Sequence, residues 1–222
     1  MISAFDVIGP AMVGPSSSHT AGACRIGIIA RHLFAGTPRE ATIELHGSFA
    51  STGTGHATDR ALVAGLLGFA PDDERIKDAF SQAATLGLHF EILSADFGED
   101  AHPNSARLTV KGENGEDHSL LAASVGGGMV EVREVDGYTT SFGGQLETLL
   151  LWHEDKPGFL AKVTALLSCV EANIATIRTS RKGRGAEALS VIEVDVPLPD
   201  DCLSLLAKIS PTRTVRHFSR LP

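Results

Sequence analysis

Three consecutive hydroxyls, an imidazole and a fourth hydroxyl stand together in Gly14-Pro15-Ser16-Ser17-Ser18-His19-Thr20. Apolar spacing predicts a helix over 20–35, with Ile26, Ile29, Leu33 and Phe34 toward a core. The run therefore lies where unpaired backbone N–H groups and the positive end of a helix dipole face outward. Such a place suits an anion, either a carboxylate or a phosphate. For an isolated serine run, a capped surface turn is the simpler account. His19 inside the run and the flanking glycines favour a binding role.

A second stretch, Gly47-Ser48-Phe49-Ala50-Ser51-Thr52-Gly53-Thr54-Gly55-His56-Ala57-Thr58-Asp59, joins a predicted strand to a predicted helix. It is not a dinucleotide fingerprint, because Thr58 occupies the third glycine position. It also lacks the Gly-Lys-Ser/Thr of a phosphate loop. What remains is a glycine-rich loop presenting His56 and Thr58 at a helix start; a tight turn with a solvated histidine explains it equally well. His102-Pro103-Asn104 alone reads as a turn. Gly126-Gly127-Gly128 fits either a close ligand approach or a bulge or turn. His32, His46, His89, His118, His153 and His217 have no motif context and read as structural.

Several chemistries are disfavoured. Cys24, Cys169 and Cys202 are scattered, with no CxxC pair. That pattern fits a reducing, cytoplasmic setting better than a disulfide scaffold. It also lacks the thiolate set an iron–sulfur cluster needs. No HExxH zinc spacing occurs. Residues 1–146 hold only Lys77 and Lys111, both in polar surroundings, so a pyridoxal Schiff base is not expected there. A net charge of -8 argues against general nucleic-acid binding. No apolar run reaches the ~18 residues of a membrane span, and the N-terminal stretch lacks the features of a secretory signal.

The elements that must position these residues divide into two halves. Of 23 glycines, 20 lie in residues 1–146, as do seven of nine histidines, which places the chemistry in the first half. Formal charge is -9 there and +1 in 147–222. Ser141 to Gly144 reads as the linker, with domains at 1–144 and 147–222. The first half predicts strands over 41–46, 88–94, 105–111, 118–125 and 129–135, and helices over 57–69 and near 73–86, a mixed α+β domain. In the second, 148–154 reads as a strand and Asp155-Lys156-Pro157-Gly158 as a turn. A helix follows over 159–171, with Phe159, Leu160, Val163, Leu166, Leu167 and Val170 on one face and Asn173 as its C-cap candidate. Strands over 174–181 and 187–196 flank the turn Lys182 to Ala186. A helix from Asp200 and Asp201, carrying Leu203, Leu205, Leu206 and Ile209, and a strand over 213–218 complete βαββαβ, a ferredoxin-like unit.

The segments F-D-V-I-G-P-A-M-V-G-P-S-S-S-H-T-A-G and G-S-F-A-S-T-G-T-G-H-A-T-D-R-A-L-V-A-G-L-L-G resemble those of iron–sulfur-dependent L-serine dehydratase beta chains. H-P-N and S-V-G-G-G follow in the order that family shows, and residues 147–222, with D-K-P-G and E-A-N-I, resemble an ACT domain. The resemblance implies an N-terminal domain similar to the allosteric-substrate-binding domain of some phosphoglycerate dehydrogenases. It implies a separate alpha subunit holding a [4Fe–4S] cluster, without pyridoxal phosphate, and conversion of L-serine to pyruvate and ammonia. The cluster's open iron would act on the serine hydroxyl as a Lewis acid. By the same resemblance His56 is the expected base for the Cα proton. Ser16, Ser17, Ser18, His19 and Thr20 would grip the carboxylate, and His102 and Asn104 would orient substrate. The ACT-like half implies self-association and an effector site at Asp155, Pro157, Gly158, Asn173 and Ile174. Dimerisation without a ligand is the alternative there, and a non-catalytic amino-acid-sensing subunit is the alternative for the whole chain. A phosphoglycerate-dehydrogenase-like fragment would require a nucleotide domain that the sequence lacks.

Overall fold

The computed structural model describes residues 11–34, 36–53, 55–113 and 115–221. The first six residues of the opening motif, Phe5 to Pro10, lie outside these, as do Ala35 and Thr54. The architecture is α+β, and the chain divides between Asp136 and Gly137 into two compact units.

In the first unit, Ser17–Gly22 winds as a π-helix and runs into α1, Ala23–His32. Then follow β1, Pro38–Leu45, the short α2, Gly47–Thr52, and α3, Thr58–Leu66. A 3₁₀ turn, Glu74–Asp78, leads into α4, Ala79–Leu86. Four strands complete the unit: β2, His89–Ser94; β3, Ser105–Gly112; β4, Asp117–Gly126; and β5, Met129–Val135. They pair in the order β2-β1-β3-β4-β5, with β1 and β2 parallel and the remaining neighbours antiparallel. Alternation sets the buried face: Ala41, Ile43 and Leu45 on β1, and Ala106, Leu108 and Val110 on β3, are buried. Ile26, Ile29, Leu62 and Leu66 from α1 and α3 are buried in the same unit.

Two glycines let α1 and α3 cross at backbone distance. A Cβ on Gly27 would stand 2.3 Å from the Leu62 carbonyl oxygen, and one on Gly65 would stand 2.1 Å from that of Cys24. No side chain fits either place. The crossing fixes the loops that enter the two helices, which are the serine run and the His56 loop.

The second unit begins with β6, Tyr138–Phe142. Ser141 and Phe142, read from sequence as linker, therefore lie in a strand. The βαββαβ unit follows: β7, Glu147–Glu154; α5, Phe159–Cys169; β8, Ile174–Arg181; β9, Glu187–Val194; α6, Asp200–Lys208; β10, Thr212–Phe218. Its antiparallel sheet has the ferredoxin-like order β10-β7-β9-β8. Leu149, Leu151, Ile192 and Val194 pack on Phe159, Val163, Leu167, Cys202 and Leu206. Two details differ from expectation. The left-handed residue after α5 is Glu171 (φ 55°), not Asn173, whose side chain instead donates to Asp195 Oδ2 at 2.6 Å. On α6 Leu205 is 48% exposed, and Cys202 takes the buried position.

Candidate functional site

The serine run folds back on itself. Ser16 caps the helical stretch: its Oγ accepts from the His19 backbone N–H at 3.2 Å, while its carbonyl accepts from Thr20 N–H at 2.8 Å. Short hydrogen-bonded loops of this kind at a π-helical stretch often accompany functional sites. Ser17 and Ser18, half-buried, occupy the first turn. Thr20 is wholly buried. It lies so close to Gly14 that a Cβ there would be 2.2 Å from Thr20 Oγ1, and that hydroxyl donates to the His56 carbonyl at 3.5 Å. Thr20 therefore ties the serine loop to the His56 loop.

The His19 imidazole is the centre of the site. Its Nδ1 is 3.3 Å from Ser16 Oγ. Its Nε2 is 3.2 Å from Ser48 Oγ and 3.1 Å from Thr52 Oγ1. The buried Phe49 ring meets it edge-on at 5.3 Å between centroids. The His56 ring stands 5.1 Å away, tilted by 50°. Burial, and then the neighbouring His56, hold the His19 imidazole below the usual histidine range; a hydrogen bond at Ser48 works the other way. His56 itself is exposed. It precedes Ala57, which takes a left-handed φ of 59°, and its N–H donates to the Thr52 carbonyl at 3.1 Å.

Ser48 and Thr52 were not among the residues singled out from sequence. The stretch after β1 reads as a glycine-rich loop, yet 47–52 is a helix. Gly47 starts it with φ 57°, and a Cβ there would be 2.7 Å from the Pro103 carbonyl oxygen. The i, i+4 spacing of Ser48 and Thr52 was the available signal, since it puts both hydroxyls on one helix face.

The His102-Pro103-Asn104 loop joins the site through its backbone. The Pro103 carbonyl accepts from Ser48 N–H at 2.7 Å and Phe49 N–H at 3.3 Å. These amides at the start of α2 are thereby satisfied from within the chain. The His102 ring turns back on its own loop, with Nδ1 accepting from Asn104 N–H at 3.1 Å. Burial, followed by the charge of Arg133, keeps His102 below the usual histidine range. Gly126 to Gly128 all take positive φ and form the β4–β5 turn, where the Gly128 carbonyl accepts from Arg25 at 2.7 Å.

A metal cluster does not fit the residues present. Cys24 is buried, donates to the Phe69 carbonyl at 3.2 Å, and has its thiol pushed up to about 12 by burial. Among the described residues no group of His, Cys, Asp and Glu is placed to hold a metal ion. No helix among them is long and apolar enough to cross a membrane.

In the second unit the Asp155 carboxylate already accepts from Arg181 at 2.7 Å and from Gly185 N–H at 3.2 Å, which holds it below the usual carboxylate range. Gly158 (φ 82°) is exposed and Pro157 is exposed beside it. Asn173 and Ile174 lie at the start of β8.

The serine dehydratase beta chain family model matches residues 3–135, ending one residue short of the divide between the units. The chain is 38% identical to the L-serine dehydratase beta chain of Peptoniphilus asaccharolyticus over 215 residues, 97% of both chains. It is 42% identical to a probable L-serine dehydratase beta chain of Bacillus subtilis (strain 168) over 207 residues, 93% of both. Among solved structures, the ACT domain from GTP pyrophosphokinase of Chlorobium tepidum is similar over 33% of this chain and 96% of that one, at 24% identity and a TM-score of 0.29. The chain belongs to the serine dehydratase beta chain family.

Proposed function

We propose that this chain forms half of an L-serine dehydratase active site, eliminating water from L-serine to give pyruvate and ammonia together with an alpha chain. The observation that carries this reading is the juxtaposition of the half-buried serine run with His19 and the exposed His56, 5.1 Å from the His19 ring. The hydroxyls and first-turn amides of Ser17 and Ser18 receive the substrate carboxylate. That grip stabilises charge as the Cα–H bond weakens, and the exposed His56 accepts the proton. The Cβ–O bond breaks as the alkene forms, and the cluster assigned to the alpha chain would supply the Lewis acid that takes up the departing hydroxide. The resulting aminoacrylate leaves, tautomerises to the imine and is hydrolysed to pyruvate and ammonia. His102 and Asn104 shape the side of the site carried on the Pro103 loop. The [4Fe–4S] cluster is assigned to the alpha chain, since Cys24 is sealed in the core and Cys169 and Cys202 lie in the other unit. The second unit is proposed to bind a small amino acid at Asp155 to Gly158, with Asn173 and Ile174, and to mediate self-association. Calorimetric titration of serine into the full chain, beside a Gly158→Val variant, separates binding from dimerisation alone.

Anaerobic co-expression with an alpha chain tests the main reading. The pair is expected to make pyruvate from L-serine and this chain alone to make none. His56→Ala is expected to lower turnover by about 10²- to 10⁴-fold at unchanged cluster content. Near-wild-type turnover by that variant removes His56 as the base.

A further inference from the structure

We propose that Thr52 is a positioning residue that fixes His19 as the neutral Nε2–H tautomer, so that the positive charge of the histidine pair forms on His56. The role of His56 rests on the function proposed above; the tautomer stands on the hydrogen-bond geometry alone. A threonine hydroxyl has one hydrogen to donate. That of Thr52 goes to the Ser48 carbonyl at 2.8 Å, one turn back along α2. Toward His19 Nε2, 3.1 Å away, Thr52 Oγ1 can then only accept, so the hydrogen between them belongs to the imidazole. Ser48 Oγ lies 3.2 Å from the same nitrogen and 3.4 Å from Thr52 Oγ1, where its own hydrogen can go.

The other side of the ring agrees. With Nε2 protonated, a neutral imidazole presents Nδ1 as an acceptor. Ser16 Oγ stands 3.3 Å away and can donate there while its lone pair accepts from the His19 N–H at 3.2 Å. Each polar hydrogen in the cluster thus has one acceptor when the ring is neutral. A second proton on Nδ1 would displace the Ser16 donor. It would also put charge on a half-buried ring against Phe49, with His56 as its titratable neighbour. Two imidazolium ions at this separation repel. His19 accordingly works as a braced, uncharged wall between the serine run and α2, and does not grip the carboxylate as a cation. The exposed His56 is left to carry the proton.

The test uses the full chain labelled with ¹⁵N and long-range imidazole spectra at neutral pH. His19 is expected to show the Nε2–H pattern. Thr52→Val, which keeps the shape and removes the acceptor, is expected to shift His19 toward the Nδ1–H form; Thr52→Ser is expected to restore it. Thr52 is exposed, so the valine variant disturbs no core. In the two-chain enzyme Thr52→Val is expected to lower kcat by about 2- to 10-fold with KM nearly unchanged, the scale of one lost hydrogen bond, and Thr52→Ser to recover it. An Nδ1–H pattern in the wild type, or spectra indifferent to Thr52→Val, overturns the proposal whatever the activity. A spectral shift with unchanged kcat overturns the link to His56. A His56→Ala enzyme of wild-type turnover sinks the base assignment instead and leaves the tautomer result standing.

Discussion

Two histidines in this chain are built into similar hydrogen-bonded settings, one in each unit. His19 has Ser16 on one ring nitrogen and Ser48 with Thr52 on the other. His153, at the end of β7, has the Glu154 carbonyl on Nδ1 at 2.9 Å and Ser190 Oγ on Nε2 at 2.9 Å. A carbonyl only accepts, so Nδ1 of His153 carries the hydrogen and Ser190 donates to Nε2. Ser190 is also 2.8 Å from Thr179 Oγ1. Burial lowers both imidazoles. They differ in what closes the remaining side. Phe159 stacks on His153 at 3.8 Å between centroids and leaves it 3% exposed. His19 instead stands beside the exposed His56. Hydroxyls fix both histidines; what sets the candidate site apart is an open side with a second imidazole beside it.

Gly65→Ala drives a methyl group against the Cys24 carbonyl and should part α1 from α3, destabilising the chain by about 1–3 kcal/mol. Because the serine run and the His56 loop ride on these helices, turnover per folded molecule should fall too. Urea melts paired with the two-chain assay read both quantities, and a destabilised variant of full activity would show that the crossing does not set the site. A narrower effect, on stability alone, is expected from Ser190→Ala, which leaves His153 Nε2 buried without its donor at about 1–3 kcal/mol. Turnover should be unaffected, and a loss beyond that explained by unfolding would mean that His153 is not merely structural.

The smallest effect is a pH dependence shared by both units. His19, His102 and His153 are held below their ordinary value in the folded chain. The folded state then binds fewer protons than the unfolded one, so this contribution is present above the unfolded value of about 6.5 and is lost as pH falls below it toward the folded values. The urea midpoint should be lower at about pH 5.5 than at about pH 7.5. His153→Gln should reduce the difference, and a midpoint flat between the two values would contradict the burial argument.

Particular residues show what was legible. Ser16 to Thr20 and His56 stood out because unlike polar types crowd a short span before a helix. Ser48 and Thr52 did not, because Gly47 and Gly53 flank them and make a six-residue helix read as loop. Their hydroxyls gain meaning only when His19, 29 and 33 residues away, is brought to them. Thr20 looked like a ligand group by type, and its burial against Gly14 makes it a tie between loops. Ser141 and Phe142 looked like linker beside a glycine pair and lie in β6.

By itself the sequence determined most helices and strands of both halves, though not the short helix over 47–52 or β6, through local periodicities of 3.6 and 2, and the family, through two long motifs. It also determined the thiol inventory, three cysteines with no CxxC pair. Tertiary structure alone decided which hydroxyls meet which histidine and which histidine stays open. Those outcomes depend on the Gly27–Gly65 crossing and the Pro103 carbonyl, contacts between segments whose separation along the chain leaves no local pattern to read.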